Sequence, residues 1–205
     1  MKDQPPLILA SSSIYRKELL ERLRIPFECI APNIDESQLP DESTDDLIER
    51  LSQQKAQAVA QLHPNAWVIA SDQVADFNGH AIGKPGTHEK ALAQLKIMQG
   101  KRVVFKTGLC LMHHQSHRSI YICIPTTVSF HDLDDAVLEN YLHAEKPYDC
   151  AGSAKSEGLG ISLLSKIKSE DPTALIGLPL IALSGLLRSV GYAIPAPQIA
   201  LTPTP

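Results

Sequence analysis

Short apolar runs alternate with amphipathic stretches along the chain, and this alternation predicts an α/β fold. Apolar residues spaced three and four apart predict helices over residues 15–23, 44–62, 87–98, 134–144 and 178–190. Shorter apolar or alternating runs predict strands over residues 7–10, 27–31, 67–70, 74–77, 80–82, 101–112, 119–130 and 161–167. Two of the connections are hairpins, which create antiparallel neighbours. We therefore expect a mixed sheet flanked by helices.

The first predicted helix begins with the wrong charge for a helix N-terminus. Ser11, Ser12 or Ser13 can supply a capping oxygen, but the next charged residues are Arg16 and Lys17. Each cation near the positive end of the helix dipole is disfavoured by about 0.3–1 kcal/mol. An anion bound by backbone N–H groups, serine hydroxyls and Arg16 would reverse this penalty. The alternative is that both cations are solvated and the serines only cap the helix.

Further charged residues stand at the ends of elements or on an apolar helix face. Asp35 and Glu36 precede the second helix, and Lys55 falls on its apolar stripe. Asp72 follows the central strand, and Lys84 lies in a Gly-Lys-Pro-Gly loop. A polar turn would also explain the two acids, and a lysine that reaches the rim of the core would explain Lys55.

Together these groups suit a polyphosphate that is bound with a divalent metal. Carboxylates hold the metal and can activate water, and the cations neutralise phosphate charge. Because ligands of open α/β sheets bind beyond the carboxyl ends of strands, Asp72 is the central candidate. These residues indicate phosphate chemistry and leave the base of a nucleotide open.

The composition excludes several classes of protein. A formal charge of −4 argues against a protein that binds the nucleic-acid backbone. No apolar run of about 18 residues predicts a membrane span, and the N-terminal apolar run is too short for a signal peptide. The four cysteines form no CxxC pair, so we expect free thiols in a reducing cytoplasm.

Two other groups of reactive side chains have plainer structural interpretations. Cys150 has no histidine near it in the sequence to activate it, which favours a buried thiol over a nucleophile. His113, His114 and His117 fall at the tip of a predicted hairpin without a cysteine or carboxylate partner. They are therefore expected to form a solvated turn rather than a metal site.

The order of the motifs resembles the Maf family of nucleotide pyrophosphatases over residues 7–191. The matching segments are LILASSS, IYR, KELL, APNIDES, KAQAVA, SDQV, GKPG, PYDCAGS, KSEGLG and ALIGLPLIAL. The motifs SDQV, CAGS and KSEG together are similar to those of the branch whose substrate class is 7-methyl-GTP. The resemblance implies hydrolysis between the α- and β-phosphates with Mg²⁺ or Mn²⁺ as the divalent metal.

The resemblance also implies an architecture and a set of partners. We expect an elongated Maf/ITPase-like fold over residues 1–192, with a mixed twisted sheet and a cleft between two lobes. Beyond the stretch that the resemblance covers, the proline-rich composition of residues 193–205 predicts a loosely ordered tail. A cytoplasmic homodimer is implied, with a nucleoside triphosphate substrate and no nucleic acid or membrane partner.

Single residues acquire roles from the same resemblance. Asp72 matches the proton acceptor, and Glu36 together with Asp72 matches the metal neighbourhood. The residues that match the phosphate neighbourhood are Ser11, Ser13, Arg16, Lys55 and Lys84. Those that match the positions distinguishing substrates are Tyr15, Gln73 and Glu157.

The implied base site makes physical sense. The carboxylate of Glu157 could accept hydrogen bonds from the N1–H and amino group of guanine. The ring of Tyr15 could stack on the cationic 7-methylguanine, and such cation–π contacts contribute about 0.5–2 kcal/mol. Three residues depart from the family pattern: Ile14 replaces a frequent proline, Tyr15 a usual tryptophan, and Ala154 a frequent aromatic residue.

Two other functions fit part of this pattern. One is a dTTP/UTP pyrophosphatase, which Glu157 disfavours because its carboxylate would face pyrimidine carbonyl oxygens without a donor. The other is a non-catalytic nucleotide-binding regulator of cell division. A pure sensor has no need of a general base, so the presence of Asp72 with Lys55, Lys84 and Glu36 disfavours it.

Overall fold

The chain folds around one seven-stranded sheet. A computed structural model of the protein describes residues 4–197. The strands are β1 (Leu7–Ala10), β2 (Glu28–Ile30), β3 (Trp67–Phe77), β4 (His80–Ile82), β5 (Arg102–His113), β6 (Arg118–Phe130) and β7 (Leu164–Ser169). The helices are α1 (Ile14–Glu21), α2 (Thr44–Ala60), α3 (His88–Met98), α4 (Asp135–Glu145) and α5 (Leu180–Ser189). Short 3-10 helices lie at Ala151–Ser153, Leu159–Leu163 and Ala174–Ile176.

The sheet is mixed, which confirms the predicted fold class. Its strand order is β2-β1-β3-β5-β6-β7, with β4 paired to β3. β1 runs parallel to both β2 and β3, and every other pair is antiparallel. The long β5–β6 hairpin and the β3–β4 hairpin supply the antiparallel neighbours that the sequence pattern indicated.

The two faces of the sheet bury different helices, because alternate side chains of a strand point to opposite faces. On one face, Ile69 and Leu111 pack with residues of α1 and α5. Further along the same face, Phe105 packs with residues of α3 and α4. On the other face, Val68 and Cys110 pack with α2. None of the helices described by the structure is both long and apolar enough to cross a membrane.

The prediction that the central strand ends at residue 70 is wrong. β3 is continuous through Phe77, and Asp72 is paired within it to Gly108 of β5. The polar residues 71–73 interrupt the apolar pattern without interrupting the backbone ladder. On its other edge β3 pairs with β1 through Ile69 and with β4 from Ala75. In the described part of the chain, the β3 edge between these two pairings is open.

The predicted strand at residues 161–167 is displaced. A 3-10 helix ends at Leu163, and β7 starts at Leu164. Leu163 is buried in the cluster that contains Leu142 of α4, so the apolar run packs onto a helix before it joins the sheet. The predicted tail begins inside the described region, where Ile194 and Ala196 pack against the core. The remainder of the tail lies outside the described residues.

A glycine lets α2 approach the sheet closely. A β-carbon on Gly108 would lie 2.4 Å from Oγ of Ser52 and 3.1 Å from two atoms of Ile48. Both residues belong to α2, and Ser52 is one turn of helix before Lys55. Among the described residues, Oγ of Ser52 is buried without a hydrogen-bond partner. The contact at Gly108 therefore sets how closely α2 lies over Asp72.

We expect Gly108→Ala to destabilise the protein by about 1–3 kcal/mol, because the added methyl overpacks the contact with α2. Urea unfolding measures this change. Adding Ser52→Ala should recover part of the loss, since it removes the nearest clashing atom. The control is Gly185→Ala in α5, where a β-carbon meets nothing within 4 Å. That substitution should be neutral or stabilising by up to about 1 kcal/mol, and a Gly108→Ala variant as stable as wild type would contradict the prediction.

Candidate active site

A cleft of about 660 Å³ lies against the open edge of β3. Its walls come from the end of β1, the start of α1, α2, β3, the loop after β4, and the segments around residues 149–157 and 175–177. All ten residues to which the family resemblance gave a role line it: Ser11, Ser13, Tyr15, Arg16, Glu36, Lys55, Asp72, Gln73, Lys84 and Glu157. Its volume is in the range typical of pockets for small molecules.

The two cations near the start of α1, Arg16 and Lys17, have different partners. Ser13 caps the helix by accepting from the backbone N–H of Arg16 at 3.4 Å. Nε of Arg16 donates to the carbonyl of Gly177 at 2.9 Å, and its guanidinium lies 3.9 Å from Oδ1 of Asp72. Lys17 instead pairs with Glu21 on the surface at 3.8 Å. Arg16 therefore faces the cleft, as the anion-site interpretation requires, whereas the solvated interpretation holds for Lys17.

The carbonyl of Gly177 is a positioning group that sequence reasoning missed. It also accepts a hydrogen bond from Oγ of Ser71 at 2.8 Å. Gly177 has a φ of +119°, a conformation in which an added β-carbon would lie 3.3 Å from Nε of Arg16. A lone glycine between two apolar residues gave no signal of this role in the sequence.

Lys55 joins the two acids of the cleft. Its side chain is only 5% exposed, and Nζ lies 2.7 Å from Oδ1 of Asp72 and 3.0 Å from Oε1 of Glu36. The hypothesis that Lys55 reaches into a cleft towards negative charge is thus confirmed, and the rim position is wrong. Burial lowers the pKa of the nearby Arg16 guanidinium, while Asp72 and Glu36 oppose that shift. The acids and cations form one compact, nearly balanced charge cluster.

Lys84 adds a positive charge that this cluster does not neutralise. It lies in the loop between β4 and α3 and lines the cleft. Within residues 4–197, no carboxylate lies within ion-pair distance of it. A cation of this kind in a cleft attracts an anionic ligand.

The loop that carries Glu36 is tied down by an ion pair that sequence reasoning missed. Arg50 of α2 binds Glu42 through Nε at 2.5 Å and through its terminal nitrogen at 2.8 Å. The same guanidinium donates to the carbonyl of Ser37 at 2.9 Å. Asp35, the neighbour of Glu36, accepts from the backbone N–H of Ser37 at 2.9 Å. Asp35 thus closes a turn, and Arg50 holds Glu36 at the mouth of the cleft.

Two of the substrate-selecting candidates, Tyr15 and Glu157, lie near the segment at residues 149–157. The ammonium of Lys155 lies 5.5 Å from the centroid of the Tyr15 ring and pairs with Glu145 at 2.9 Å. Glu157 is exposed on the same wall. Gln73 donates through Nε2 to Thr107 and to two backbone carbonyls of the segment at 174–175. Its amide nitrogen therefore braces that segment, although the residue lines the cleft.

Cys150 also lines the cleft but is not a nucleophile at neutral pH. Burial, with the negative charge of Asp149 beside it, raises the pKa of its thiol to about 12. The thiolate required for attack is then absent near pH 7. At the hairpin tip, His114 is exposed as expected, whereas His113 is buried with its ring centroid 5.1 Å from that of Trp67.

The Arg50–Glu42 tether predicts an acid-sensitive stability. Hydrogen bonds from Arg50 hold the pKa of Glu42 at about 2, below its ordinary 4.5. A carboxylate whose pKa is lower in the folded state stabilises the fold above about pH 4.5, and this contribution is lost as the pH falls towards 2. We expect the Tm of the wild type to fall more steeply over that window than the Tm of Glu42→Gln.

Thermal melts at several pH values make this comparison. Glu18→Gln, on an exposed position of α1, is the matched control and should keep the wild-type slope. Parallel slopes for the wild type and Glu42→Gln would show that the tether does not lower the pKa of Glu42.

Comparison with known proteins adds a family and a set of close relatives. Residues 6–190 match the family described as Maf-like protein. A protein of Ralstonia nicotianae named 7-methyl-GTP pyrophosphatase is 55% identical over 93% of this chain and 98% of the relative. Proteins of the same name from Cupriavidus metallidurans (92% and 95% covered) and Burkholderia pseudomallei (94% and 93% covered) are each 56% identical. The Ham1 protein of Staphylococcus aureus is a structural neighbour with a TM-score of 0.44 and 15% identity, covering 62% of this chain and 72% of that one.

Proposed function

The chain belongs to the Maf family, and we propose that it is a pyrophosphatase that hydrolyses 7-methyl-GTP. Water attacks the α-phosphorus, the bond to the bridging α,β oxygen breaks, and 7-methyl-GMP and diphosphate leave. The observation that carries this proposal is the cluster of Asp72, Lys55, Glu36 and Arg16 in one cleft. The name shared by relatives of 55–56% identity supports the choice of substrate.

Asp72 is our candidate for the general base. Lys55 donates to its Oδ1, which fixes the orientation of the carboxylate. Its other oxygen is left for one of two tasks, taking the proton of the attacking water or binding the metal that shares this water. Arg16, Lys55 and Lys84 stabilise the negative charge on the equatorial and leaving oxygens, which is the main task of a protein in phosphoryl-type transfer.

The acids of the cleft fit a hard divalent cation such as Mg²⁺ or Mn²⁺. Lys55 engages one oxygen of Asp72 and one of Glu36, which leaves the second oxygen of each carboxylate available in the described structure. Carboxylate oxygens with water are the ligands that Mg²⁺ and Mn²⁺ prefer. When bound, the ion would neutralise part of the phosphate charge. Asp72 and Glu36 would hold it beside the groups described above.

The part of the cleft around Tyr15 favours a positively charged base. Burial raises the pKa of the Tyr15 hydroxyl, and the negative charges of Asp149 and Glu157 raise it further against the opposing Lys155. The same negative surroundings attract the cationic 7-methylguanine. One face of the Tyr15 ring carries Lys155, so the base would stack on the other face, with Glu157 accepting from its N1–H and amino group. Ser11 and Ser13 would meet the phosphates through their position at the start of α1.

We also infer that the enzyme works in the cytoplasm as a homodimer without nucleic acid or membrane partners. Four unpaired cysteines suit a reducing compartment. The net charge of −4 does not suit a protein that binds the backbone of a nucleic acid. The dimer rests on the family resemblance, and sedimentation velocity of the purified protein measures it.

A panel of nucleoside triphosphates tests the substrate. With Mg²⁺ or Mn²⁺ present, we expect kcat/KM for 7-methyl-GTP to exceed that for GTP about 10-fold, in line with a cation–π contact of about 0.5–2 kcal/mol. Release of diphosphate is the readout. Equal values for GTP and 7-methyl-GTP would contradict the base assignment, and a preference for dTTP and UTP would indicate the pyrimidine activity instead.

Asp72→Asn tests the general base. The amide keeps the shape of the side chain but takes up a proton poorly, so we expect kcat to fall by about 10²–10⁴-fold while substrate binding persists. Single-turnover assays and calorimetric titration with a non-hydrolysable analogue measure the two effects. The matched control is Asp76→Asn, on the same strand and face, where the carboxylate pairs with Lys106 at 3.0 Å outside the cleft.

The control should keep most of the wild-type kcat even if it loses stability. A near-normal rate for Asp72→Asn would show that Asp72 is not the base. A wild-type protein that binds the nucleotide without any turnover would instead support a non-catalytic regulator.

A further inference from the structure

Two histidines and a glutamate converge on the outer side of α3 and α4. His88 is the first residue of α3, and Glu139 and His143 are one helical turn apart on α4. Their ligand atoms all lie within 4.8 Å of one another. Nε2 of His88 is 2.7 Å from Oε2 of Glu139, and Nε2 of His143 is 3.7 Å from the same oxygen. None of the three lines the cleft.

The distances are close to those of a metal site. A tetrahedral zinc ion with bonds of about 2.0 Å places neighbouring ligand atoms about 3.3 Å apart. The 2.7 and 3.7 Å separations lie on either side of that value, and the third, between the two histidines, is within 4.8 Å. All three could reach it through side-chain movements of about 0.5–1.5 Å, the largest of them at the exposed His143. Two imidazoles and one carboxylate form a ligand set of catalytic and regulatory zinc sites, and imidazole is a poor ligand for Mg²⁺.

A fourth side chain fixes the orientation of His88. The hydroxyl of Tyr148 lies 2.9 Å from Nδ1 of His88, on the side of the ring away from Glu139. Ligating histidines almost always make such a hydrogen bond through their second nitrogen, which holds the ring and its tautomer in place. This contact directs Nε2 of His88 towards Glu139 and His143.

We propose that His88, Glu139 and His143 bind Zn²⁺ or a similar divalent transition metal. This α3–α4 metal site leaves the fourth position of the ion to water, because His143 is 73% exposed and Glu139 is 38% exposed. The ion would join α3 to α4 across a packed helix pair. α3 follows the loop of Lys84, and the backbone N–H of Gly86 in that loop donates to the carbonyl of Tyr148 at 3.0 Å. Metal binding would therefore hold the loop of Lys84, at the rim of the cleft, in place, although the ion itself lies outside the cleft.

Zinc titration of the full-length protein tests the proposal. The titration competes the protein against a chromogenic chelator, with excess Mg²⁺ present to occupy the carboxylates of the cleft. Wild type should bind one equivalent of Zn²⁺ that Mg²⁺ does not displace. His143→Ala should weaken this binding at least 10-fold, and Tyr148→Phe should weaken it about 10-fold. Because His143 is largely exposed, its loss should leave the fold intact, and circular dichroism checks this.

His114→Ala, an exposed histidine at the β5–β6 hairpin tip, is the matched control and should bind zinc like wild type. Co²⁺ gives an independent readout: its visible absorption in the tetrahedral range should be present in wild type and lost in His143→Ala. Equal zinc affinity in wild type and His143→Ala would overturn the proposal, as would wild type that binds no zinc. Zinc binding lost in Asp72→Asn but kept in His143→Ala would place the ion in the cleft and overturn it as well.

Discussion

The Lys55 ammonium, held between Asp72 and Glu36, is the interaction on which the cleft depends. A buried charge is tolerated only when it is paired, and removal of one partner from such a pair typically costs about 3–5 kcal/mol. The pairing needs α2 to lie close over β3, which is possible because the residue opposite Asp72 is Gly108. The packing of one helix on one glycine thus decides whether the acids and the cation of the cleft can meet.

The open edge of β3 explains why the cleft lies where it does. β1 is too short to cover the middle of β3, and β4 pairs only with its end. An unpaired strand edge is normally exposed to aggregation. Here it lies between two paired stretches and under the walls of the cleft, which protects it. The side chains on the edge gain a rigid support, because the opposite side of β3 is paired continuously to β5.

The periodicity of the sequence predicted most of the helices and strands. The chemistry of single residues predicted which side chains line the cleft. Asp72 was predicted at the end of a strand and lies inside one, since the pattern cannot show that β5 continues the ladder past a polar stretch. The Arg50–Glu42 tether depends on the path of a loop that has no periodic signal. His88 is separated from Glu139 by 51 positions, so only the helix packing brings them together. No pattern in the sequence predicted a role for Lys155, and its position over Tyr15 depends on a glycine-rich segment whose path no local pattern specifies.

Gly177 has a consequence for how the protein is made. Its carbonyl accepts from Arg16 and from Ser71, which precede it by 161 and 106 positions. During translation, β1, α1 and β3 leave the ribosome well before the segment that contains Gly177 exists. Until then the nascent chain has an incomplete cleft, and Leu7 and Leu9 still lack their cover from α5. Completion of the cleft waits for the synthesis of this segment, so a truncated polypeptide that ends before Gly177 would be inactive and a natural client for chaperones.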